Sequence, residues 1–314
     1  MTAPAPVRLL LGPQRPVRNL AEAISAAGIP DGPLAVISAG WQEAEGDIDD
    51  VREIVGRPLE DLRLYTRADG VFTADEKLAA AYRHRQDCLK EQQRLYRQRL
   101  RQLAMAARQT LRAEADPGML AAEQRHAIAQ LRALDRHHLK RTELLHAPFA
   151  RAFAPDRYAL LAEHRAEIGA RIRAAAGVLI TGGNVVVLAN RIRLFGVGDL
   201  LADAPLIGWS AGAMVLAERI VLFHDRTPEG RRDAEVLGSG TGLVPGSVVL
   251  PDARRRLRRR DIHRMTLLAR RFGPDTCVVL DSGAALGLEG GKVVLASGAR
   301  RLNRNGHLAR VRAA

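Results

Sequence analysis

A serine stands at the centre of the most informative motif in the chain, the Gly-x-Ser-x-Gly pattern inside Ile207–Ala213. The motif directly follows an apolar strand pattern and directly precedes a run of small residues that suits a helix. A sharp turn from strand to helix crowds the backbone, so glycines are needed on both sides of the serine. Such a turn lifts the hydroxyl of Ser210 above the sheet, at the positive end of the following helix. The pattern therefore predicts a nucleophile elbow, with an ordinary capping serine at a tight junction as the alternative.

A second glycine-containing motif, Thr181-Gly182-Gly183-Asn184, ends another predicted strand. Adjacent glycines let backbone N–H groups approach a ligand without a Cβ in the way. We expect the N–H of Gly183 and the N–H of Ala211, the residue after the serine, to form an oxyanion hole. Gly182 and Asn184 belong to the same ligand-binding loop in this interpretation. Taken alone, the motif would indicate a turn.

Three runs taken in order carry a family resemblance: Val178–Asn184, Leu206–Ala213 and Gly240–Gly246. Together they resemble the serine peptidase family of cyanophycinase and alpha-aspartyl dipeptidase. That family has a class I glutamine amidotransferase-like fold, which is a flavodoxin-like α/β architecture. The resemblance covers roughly residues 5–70 and 157–300.

The resemblance implies a nucleophile at Ser210 and oxyanion donors at Gly183 and Ala211. As substrate we expect an acidic or amide-containing small peptide. The sequence contains no P-loop, dinucleotide fingerprint, zinc-finger spacing or calcium loop, so no metal or organic cofactor is expected.

The chain departs from the family where the general base is expected. The resemblance implies a catalytic histidine shortly after the Gly-x-Gly-Leu-x-Pro segment, and this sequence has Asp252 there. The acidic partner is expected in an Asp-Glu pair, whose matching residues are Asp281 and Ser282, so that only Asp281 remains. A serine without a positioned imidazole keeps only residual catalysis. Ordinary family turnover would therefore need another histidine.

His224 is one candidate for that histidine. It is adjacent to Asp225, which resembles the acidic position of the dipeptidase branch. One alternative is therefore that His224, in place of a histidine at position 252, acts as the general base for Ser210. His263 opens an arginine-rich helix pattern and is interpreted as non-catalytic.

Basic residues exceed acidic ones by 48 to 35, which gives a formal charge of +13. The densest cluster follows Asp252 and consists of Arg254–Arg256 and Arg258–Arg260. Arginines there would clamp carboxylates or phosphates through bidentate hydrogen bonds, or would simply be solvated. A positive field also makes nucleic acid a possible partner, but only four of the 48 basic residues are lysines, a bias that whole-genome composition also produces.

Strand and helix patterns alternate, which predicts an α/β fold with a mostly parallel sheet flanked by helices. The strand candidates are Val7–Leu11, Leu34–Ser38, Leu62–Tyr65, Val178–Thr181, Leu206–Trp209, Ile220–Phe223, Val248–Leu250 and Cys277–Leu280. The helix candidates outside the middle of the chain are Val17–Ala27, Asp47–Val55, Arg157–Ala176, Val186–Leu194, Ala211–Glu218 and Ile262–Phe272. The chain ends in antiparallel ribbons with turns at Glu289–Lys292 and Asn303–Gly306.

The middle of the chain has a different pattern. Tyr82, Leu89, Tyr96 and Leu103 recur every seven residues, and a second apolar stripe follows the break at Asp116-Pro117-Gly118. Two amphipathic helices joined by a tight turn predict an inserted antiparallel hairpin. We therefore expect an α/β domain over 1–74 and 151–314 and a basic helical arm over 75–150.

Three functions remain open from the sequence. The first is a serine peptidase or amidohydrolase that uses Ser210. The second is a non-catalytic pseudoenzyme that binds a ligand, and docks a partner protein or a second copy of itself through the arm. The third, nucleic-acid binding, is disfavoured because the arm lacks interleaved aromatic residues. Two distant cysteines and the lack of any apolar run of about 20 residues predict a soluble, cytoplasmic protein without membrane contact.

Overall fold

Strands and helices alternate on both sides of two long helices in the computed structural model, which describes residues 5–225 and 233–313. Up to residue 152 the elements are β1 (Arg8–Leu11), α1 (Leu20–Ala26), β2 (Leu34–Ile37), a 3-10 segment (Ala39–Ala44), α2 (Asp49–Val55), β3 (Leu59–Asp61), α3 (Leu64–Ala74), α4 (Glu76–Arg112) and α5 (Pro117–Ala152). The following elements are α6 (Ala159–Ala174), β4 (Gly177–Ile180), α7 (Val185–Leu194), α8 (Val197–Leu200), β5 (Leu206–Trp209), α9 (Ala211–Leu216), β6 (Arg219–Leu222) and β7 (Glu235–Ser239). The last are β8 (Ser247–Pro251), α10 (Ala253–Arg256), α11 (Ile262–Phe272), β9 (Thr276–Leu280), β10 (Ala285–Glu289), β11 (Lys292–Ser297), β12 (Arg300–Leu302) and β13 (Leu308–Arg310).

The central sheet has seven strands in the order β11-β10-β1-β5-β4-β2-β3. Strands β3, β2, β4, β5 and β1 are parallel, and β10 and β11 add an antiparallel edge. The mostly parallel α/β fold predicted from the sequence is confirmed. Because the carboxyl ends of β1, β2, β4 and β5 lie at the same edge, the loops that follow these strands meet there.

The sheet is buried on both faces, as near-continuous apolar strands require. Leu9 and Leu11 pack with Leu20 of α1 and Val51 of α2 on one face. Leu10 belongs to the larger core on the other face, which also contains side chains of α3, α7 and α9. The alternation along β1 follows the period of two of a strand.

A second sheet, in the order β13-β12-β9-β8, lies beside the first. Its strands β8 and β9 are parallel, with Leu250 opposite Val279 and Pro251 opposite Leu280. The residues that follow these two strands are therefore neighbours in space. The antiparallel ribbons expected near the end of the chain are present as the pairs β10–β11 and β12–β13.

Helices α4 and α5 form the predicted antiparallel hairpin. Tyr96 Oη donates to Asp135 Oδ1 at 2.8 Å, so the middle of α4 lies beside the middle of α5. The side chain of Asp116 caps α5 by accepting from the N–H groups of Gly118 and Met119, both at 3.0 Å. Although both helices are long, neither they nor any other helix in the described ranges is apolar enough to cross a membrane.

A buried ion pair joins the hairpin to the α/β core. Arg271 of α11 donates from Nε to Asp135 Oδ2 at 2.7 Å and from Nη2 to Tyr96 Oη at 2.7 Å. The side chains of Arg271 and Asp135 are each 3% exposed. The hairpin therefore packs as part of the protein core, and its status as a separate domain over 75–150 stays a prediction.

The strand predicted over Leu62–Tyr65 is wrong. The strand in this region is β3, which ends at Asp61, and Leu64 is already the first residue of α3. Leu64, Ala68 and Val71 are fully buried at helical spacing, so the helix buries more apolar surface than a strand would. Arg63, in the left-handed region at φ 52°, makes the sharp bend between the two elements.

Candidate active site

Ser210 lies on a strained turn between β5 and α9. Its φ is 51° and its ψ is −113°, a conformation that a residue with a Cβ rarely adopts. The Ser210 N–H donates to the carbonyl oxygen of Leu11 at 3.0 Å, which fixes the turn against β1. A Cβ on Gly208 would lie 2.8 Å from the carbonyl carbon of Gly212, and a Cβ on Gly212 would collide with the carbonyl oxygen of Ile180. Both glycines of the motif are therefore required by close backbone contacts.

The loop that follows β4 packs against this serine. A Cβ on Gly182 would lie 3.3 Å from the Cβ of Ser210, so the two turns are in contact. Gly183 has a φ of 104°, and a Cβ there would collide with the carbonyl oxygen of Gly40. Among the described residues, the N–H groups of Gly183 and Ala211 donate to no protein acceptor. Free N–H groups beside a serine hydroxyl can stabilise a developing oxyanion.

A cleft of about 550 Å³ opens next to Ser210. Gly182 and Gly183 line it together with Trp41 and Trp209, whose ring centroids are 6.3 Å apart. The two indoles give the cleft an apolar wall beside the polar backbone of the glycine loop. A cleft of this size and mixed character suits a small peptide.

Four charged residues of the cleft were missed by the sequence analysis: Arg15, Arg18, Asp47 and Asp50. Arg15 Nη2 lies 3.2 Å from Asp50 Oδ2, so one cation and one carboxylate are already paired. These residues follow β1 and β2, whose carboxyl ends lie at the same edge of the sheet as that of β5. Because all four residues follow predicted parallel strands, their position in the sequence could have indicated that they line the cleft.

Asn184, predicted to contact a ligand, caps α7. Its side-chain oxygen accepts from the N–H groups of Val186 at 3.0 Å and Val187 at 3.2 Å. Its own N–H donates to the carbonyl oxygen of Gly40 at 2.7 Å. The residue therefore fixes the glycine loop in place, while a contact of Asn184 with a ligand stays a prediction.

Asp252 and Asp281 lie at the adjacent ends of β8 and β9. Asp252 has a φ of 56°, and its N–H donates to the carbonyl oxygen of Leu280 at 3.0 Å. Asp281 Oδ1 accepts from the N–H of Arg254 at 2.7 Å, and Asp281 Oδ2 accepts from Arg259 Nη1 at 3.0 Å. The carboxylate of Asp281 therefore holds the arginine-rich segment.

Asp225 has a similar structural role. Asp225 is 3% exposed, and its carboxylate accepts from Arg264 Nη2 at 2.5 Å and from the N–H of Arg258 at 2.9 Å. The neighbouring His224 is exposed, with Nε2 lying 3.4 Å from Arg256 Nη1. Both residues thus contact the same arginine-rich segment as Asp281.

The structure brings Ser210 into contact with the glycine loop, but no described side chain is placed as a hydrogen-bonded general base. Within residues 5–225 and 233–313, no histidine or carboxylate makes a hydrogen bond to Ser210 Oγ, and these ranges contain all nine histidines of the chain. His263, interpreted as non-catalytic, is the second residue of α11. In the same ranges no three His, Cys, Asp or Glu side chains are grouped to hold a metal ion.

Comparisons with known proteins identify the family of the chain. Residues 136–296, slightly more than half of the chain, match Peptidase family S51. A peptidase from an acI-B1 Actinobacterium has a similar structure at 14% identity and a TM-score of 0.49, over 99% of this chain and 95% of that one. A putative Peptidase E protein from Listeria monocytogenes EGD-e matches at 19% identity and a TM-score of 0.31, over 44% of this chain and 65% of that one. No curated protein matches. The family segment contains both glycine motifs and the arginine-rich segment, and the chain belongs to peptidase family S51.

Proposed function

We propose that the chain is a serine-type peptidase or amidohydrolase that uses Ser210 as its nucleophile. The observation that carries the proposal is the conformation of Ser210, at φ 51° on a turn in contact with the glycine loop. Backbone strain of about 1–3 kcal/mol persists only where the surrounding structure enforces it, and it is concentrated at functional sites. Capping residues usually adopt extended backbone angles. Arg63 and Asp252 also precede helices at positive φ, but their ψ values of 48° and 36° lie in the left-handed helical region, whereas the ψ of Ser210 is −113°.

The proposed reaction begins when Ser210 Oγ attacks the carbonyl carbon of a peptide bond. The negative charge that develops on the carbonyl oxygen is stabilised by the N–H groups of Gly183 and Ala211, where one donor is worth about 3–4 kcal/mol. The serine proton passes to water, because none of the nine histidines, all within the described ranges, bonds to the hydroxyl. The leaving amine takes a proton from water, and a second water molecule then hydrolyses the acyl-enzyme.

Turnover by this route is slow. Serine peptidases that lack a triad member retain an acceleration of about 10³–10⁴-fold over water, supplied by the oxyanion hole and by substrate binding. We expect the same range for this chain.

The charged side chains that line the cleft support a small acidic peptide as the substrate. Arg18 lines the cleft, and it has no ion pair within the described ranges. A guanidinium in that position would bind a substrate carboxylate through paired hydrogen bonds. The carboxylates of Asp47 and Asp50 would favour a peptide that also carries an amino group.

A second candidate function is binding of such a peptide without cleavage. It is favoured by the roles of Asp225 and Asp281, whose carboxylates are engaged with the arginine-rich segment. In that case the cleft keeps its shape and its N–H donors but lacks a proton acceptor.

Release of amino groups from a panel of dipeptides with an acidic first residue distinguishes the two functions. For a peptidase we expect slow release that disappears in Ser210→Ala, persists in the exposed-serine control Ser25→Ala, and increases in Asp252→His. Binding of the dipeptides by calorimetry without release, in the original chain and in Asp252→His, would instead support the binding protein.

A further inference from the structure

A second cavity, of about 260 Å³, lies between the helical hairpin and the α/β core. Its wall combines side chains of α4 and α5 with those of α7, β6 and β7, and none of them lines the cleft of Ser210. Leu89, Leu222 and Leu237 form an apolar side. On the polar side, Gln86 and Asn190 bond to each other through their amides at 3.2 and 3.3 Å.

Arg193 brings a positive charge into this cavity. Its Nη2 donates to the carbonyl oxygen of Ser239 at 3.2 Å, and it forms no ion pair within the described part of the chain. The carboxylate of Glu143 acts on Arg193 electrostatically without an ion pair, and it accepts from Ser239 Oγ at 2.7 Å. The other cations of the wall are paired, Arg97 with Glu235 at 2.6 Å and Lys90 with Asp87 at 3.0 Å. Among the described lining residues, Arg193 is therefore the cation that can meet a ligand.

Arg85 adds a second positive charge close to Arg193. Its side chain is 5% exposed, and its guanidinium carbon lies 4.0 Å from the ring centroid of Phe149 and 4.7 Å from that of Tyr82. Its Nε and Nη2 have no hydrogen-bond partner among the described residues. The two rings stabilise the cation but cannot accept its N–H groups in the way an oxygen atom does. Burial lowers the pKa of Arg85 to about 10, and the charge of Arg193 adds to that shift.

His146 of α5 lines the cavity and is close to both arginines. Its Nδ1 is buried without a hydrogen-bond partner in the described ranges. Burial, together with Arg193 and Arg85, lowers the pKa of His146 to about 3. The imidazole is neutral at pH 7, so it can donate one N–H to an anion and does not compete with it for the arginines.

We propose that this cavity binds a small organic carboxylate with an apolar body. The carboxylate accepts from the guanidinium of Arg193 and from the imidazole of His146, and the apolar body contacts Leu89, Leu222 and Leu237. The anion supplies an ion-pair partner, which neither Arg85 nor Arg193 has among the described residues. The volume admits a molecule about the size of one substituted aromatic ring, below the usual range of drug-sized pockets. Because the ligand contacts both the hairpin and the core, it stabilises their packing.

Benzoate is a suitable probe, with benzyl alcohol as its neutral analogue and inorganic phosphate as an anion without an apolar body. We expect benzoate to bind saturably by calorimetry and to raise the unfolding temperature. Arg193→Met should weaken benzoate binding about tenfold or more, the effect of losing a charge-assisted pair of hydrogen bonds. Arg99→Met on the exposed side of α4 and Ser210→Ala should leave it unchanged.

Crystals of the unaltered protein soaked with 4-bromobenzoate locate the probe independently of any variant. We expect the anomalous bromine signal in the apolar part of the cavity, with the carboxylate at Arg193. A signal only in the cleft of Ser210, or no signal, would overturn the proposed site. If benzyl alcohol bound as tightly as benzoate, the proposed requirement for an anion would be wrong. If phosphate bound and benzoate did not, the proposed requirement for an apolar body would be wrong.

Discussion

The carboxylate of Asp281 accepts a hydrogen bond from the backbone N–H of Arg254 at 2.7 Å. The family resemblance implies an acidic catalytic partner in an Asp-Glu pair, which Asp281 and Ser282 match in this sequence. Here the same carboxylate also accepts from Arg259 Nη1 at 3.0 Å, and so it fixes the segment that begins with Asp252. In this chain the carboxylates of Asp281 and Asp225 therefore hold the arginine-rich segment.

A first prediction follows from this relationship. Asp281→Asn keeps an acceptor for the Arg254 N–H but removes the charge that pairs with Arg259. We expect a loss of unfolding free energy of about 1 kcal/mol, since the pair is partly exposed, and an unchanged rate of Ser210 labelling by a fluorophosphonate. A large fall in the labelling rate without loss of stability would show that Asp281 acts in catalysis.

A second prediction concerns Gly212, two residues after Ser210. In Gly212→Ala the new Cβ would collide with the carbonyl oxygen of Ile180, a backbone atom that cannot move aside. We expect the variant to lose about 2 kcal/mol or more of unfolding free energy in urea. Gly70→Ala is the matched control, because nothing lies within 4 Å of that Cβ on α3. It should gain about 0.5–1 kcal/mol from helix propensity.

A third prediction concerns the attachment of the hairpin. Arg271→Met leaves the buried carboxylate of Asp135 without its cation, which costs about 3–5 kcal/mol. Urea unfolding measures the loss, and Arg94→Met, which breaks an exposed pair with Glu91 on the same hairpin, should cause no measurable change. Equal effects of the two substitutions would show that the buried pair does not stabilise the hairpin.

The fourth prediction is a dependence of stability on pH. Burial lowers the pKa of His138, which stacks on Tyr96 at 4.0 Å, to about 4, and the pKa of His146 is lowered to about 3. Both values lie below 6.5, the pKa of an unperturbed histidine, so between about pH 6.5 and 4 the unfolded chain binds more protons than the folded one. The free energy of unfolding should therefore fall as the pH is lowered, by about 1 kcal/mol per pH unit for each histidine.

Urea unfolding between pH 7 and pH 4.5 measures this slope. His138→Phe keeps an aromatic ring against Tyr96 and should reduce the slope, whereas His126→Gln at an exposed position should not. The same slope in both variants would contradict the assignment to His138.

Local features of the fold were predictable where neighbouring residues determine them. The bend at Ser210 follows from the glycine at position 208, because a Cβ there would collide with the backbone of Gly212 within the same turn. Gly212 itself is required by a contact with Ile180 of β4, which only the strand order brings near. The region after β3 was not predictable in this way. Leu62 and Leu64 alternate with polar residues like a strand, and only the burial of Ala68 and Val71 against the core makes this region a helix.

The features that the sequence did not predict depend on contacts between segments that are far apart in the chain. Nothing local pairs Arg271 with Asp135, which are 136 residues apart, and the order of strands that places β1 beside β5 is needed to bring Arg18 into the cleft of Ser210. In the same way, the sequence motif predicted the tight turn at Ser210 but not the engagement of Asp225 by Arg264.

The most direct test of the central claim is the reaction of the protein with a fluorophosphonate, followed by intact-mass and peptide mass spectrometry. We predict a single adduct on Ser210 that forms slowly in the unaltered protein, faster in Asp252→His, and not at all in Ser210→Ala. No adduct on Ser210 in either the unaltered protein or Asp252→His, with both folded, would contradict the assignment of Ser210 as a nucleophile.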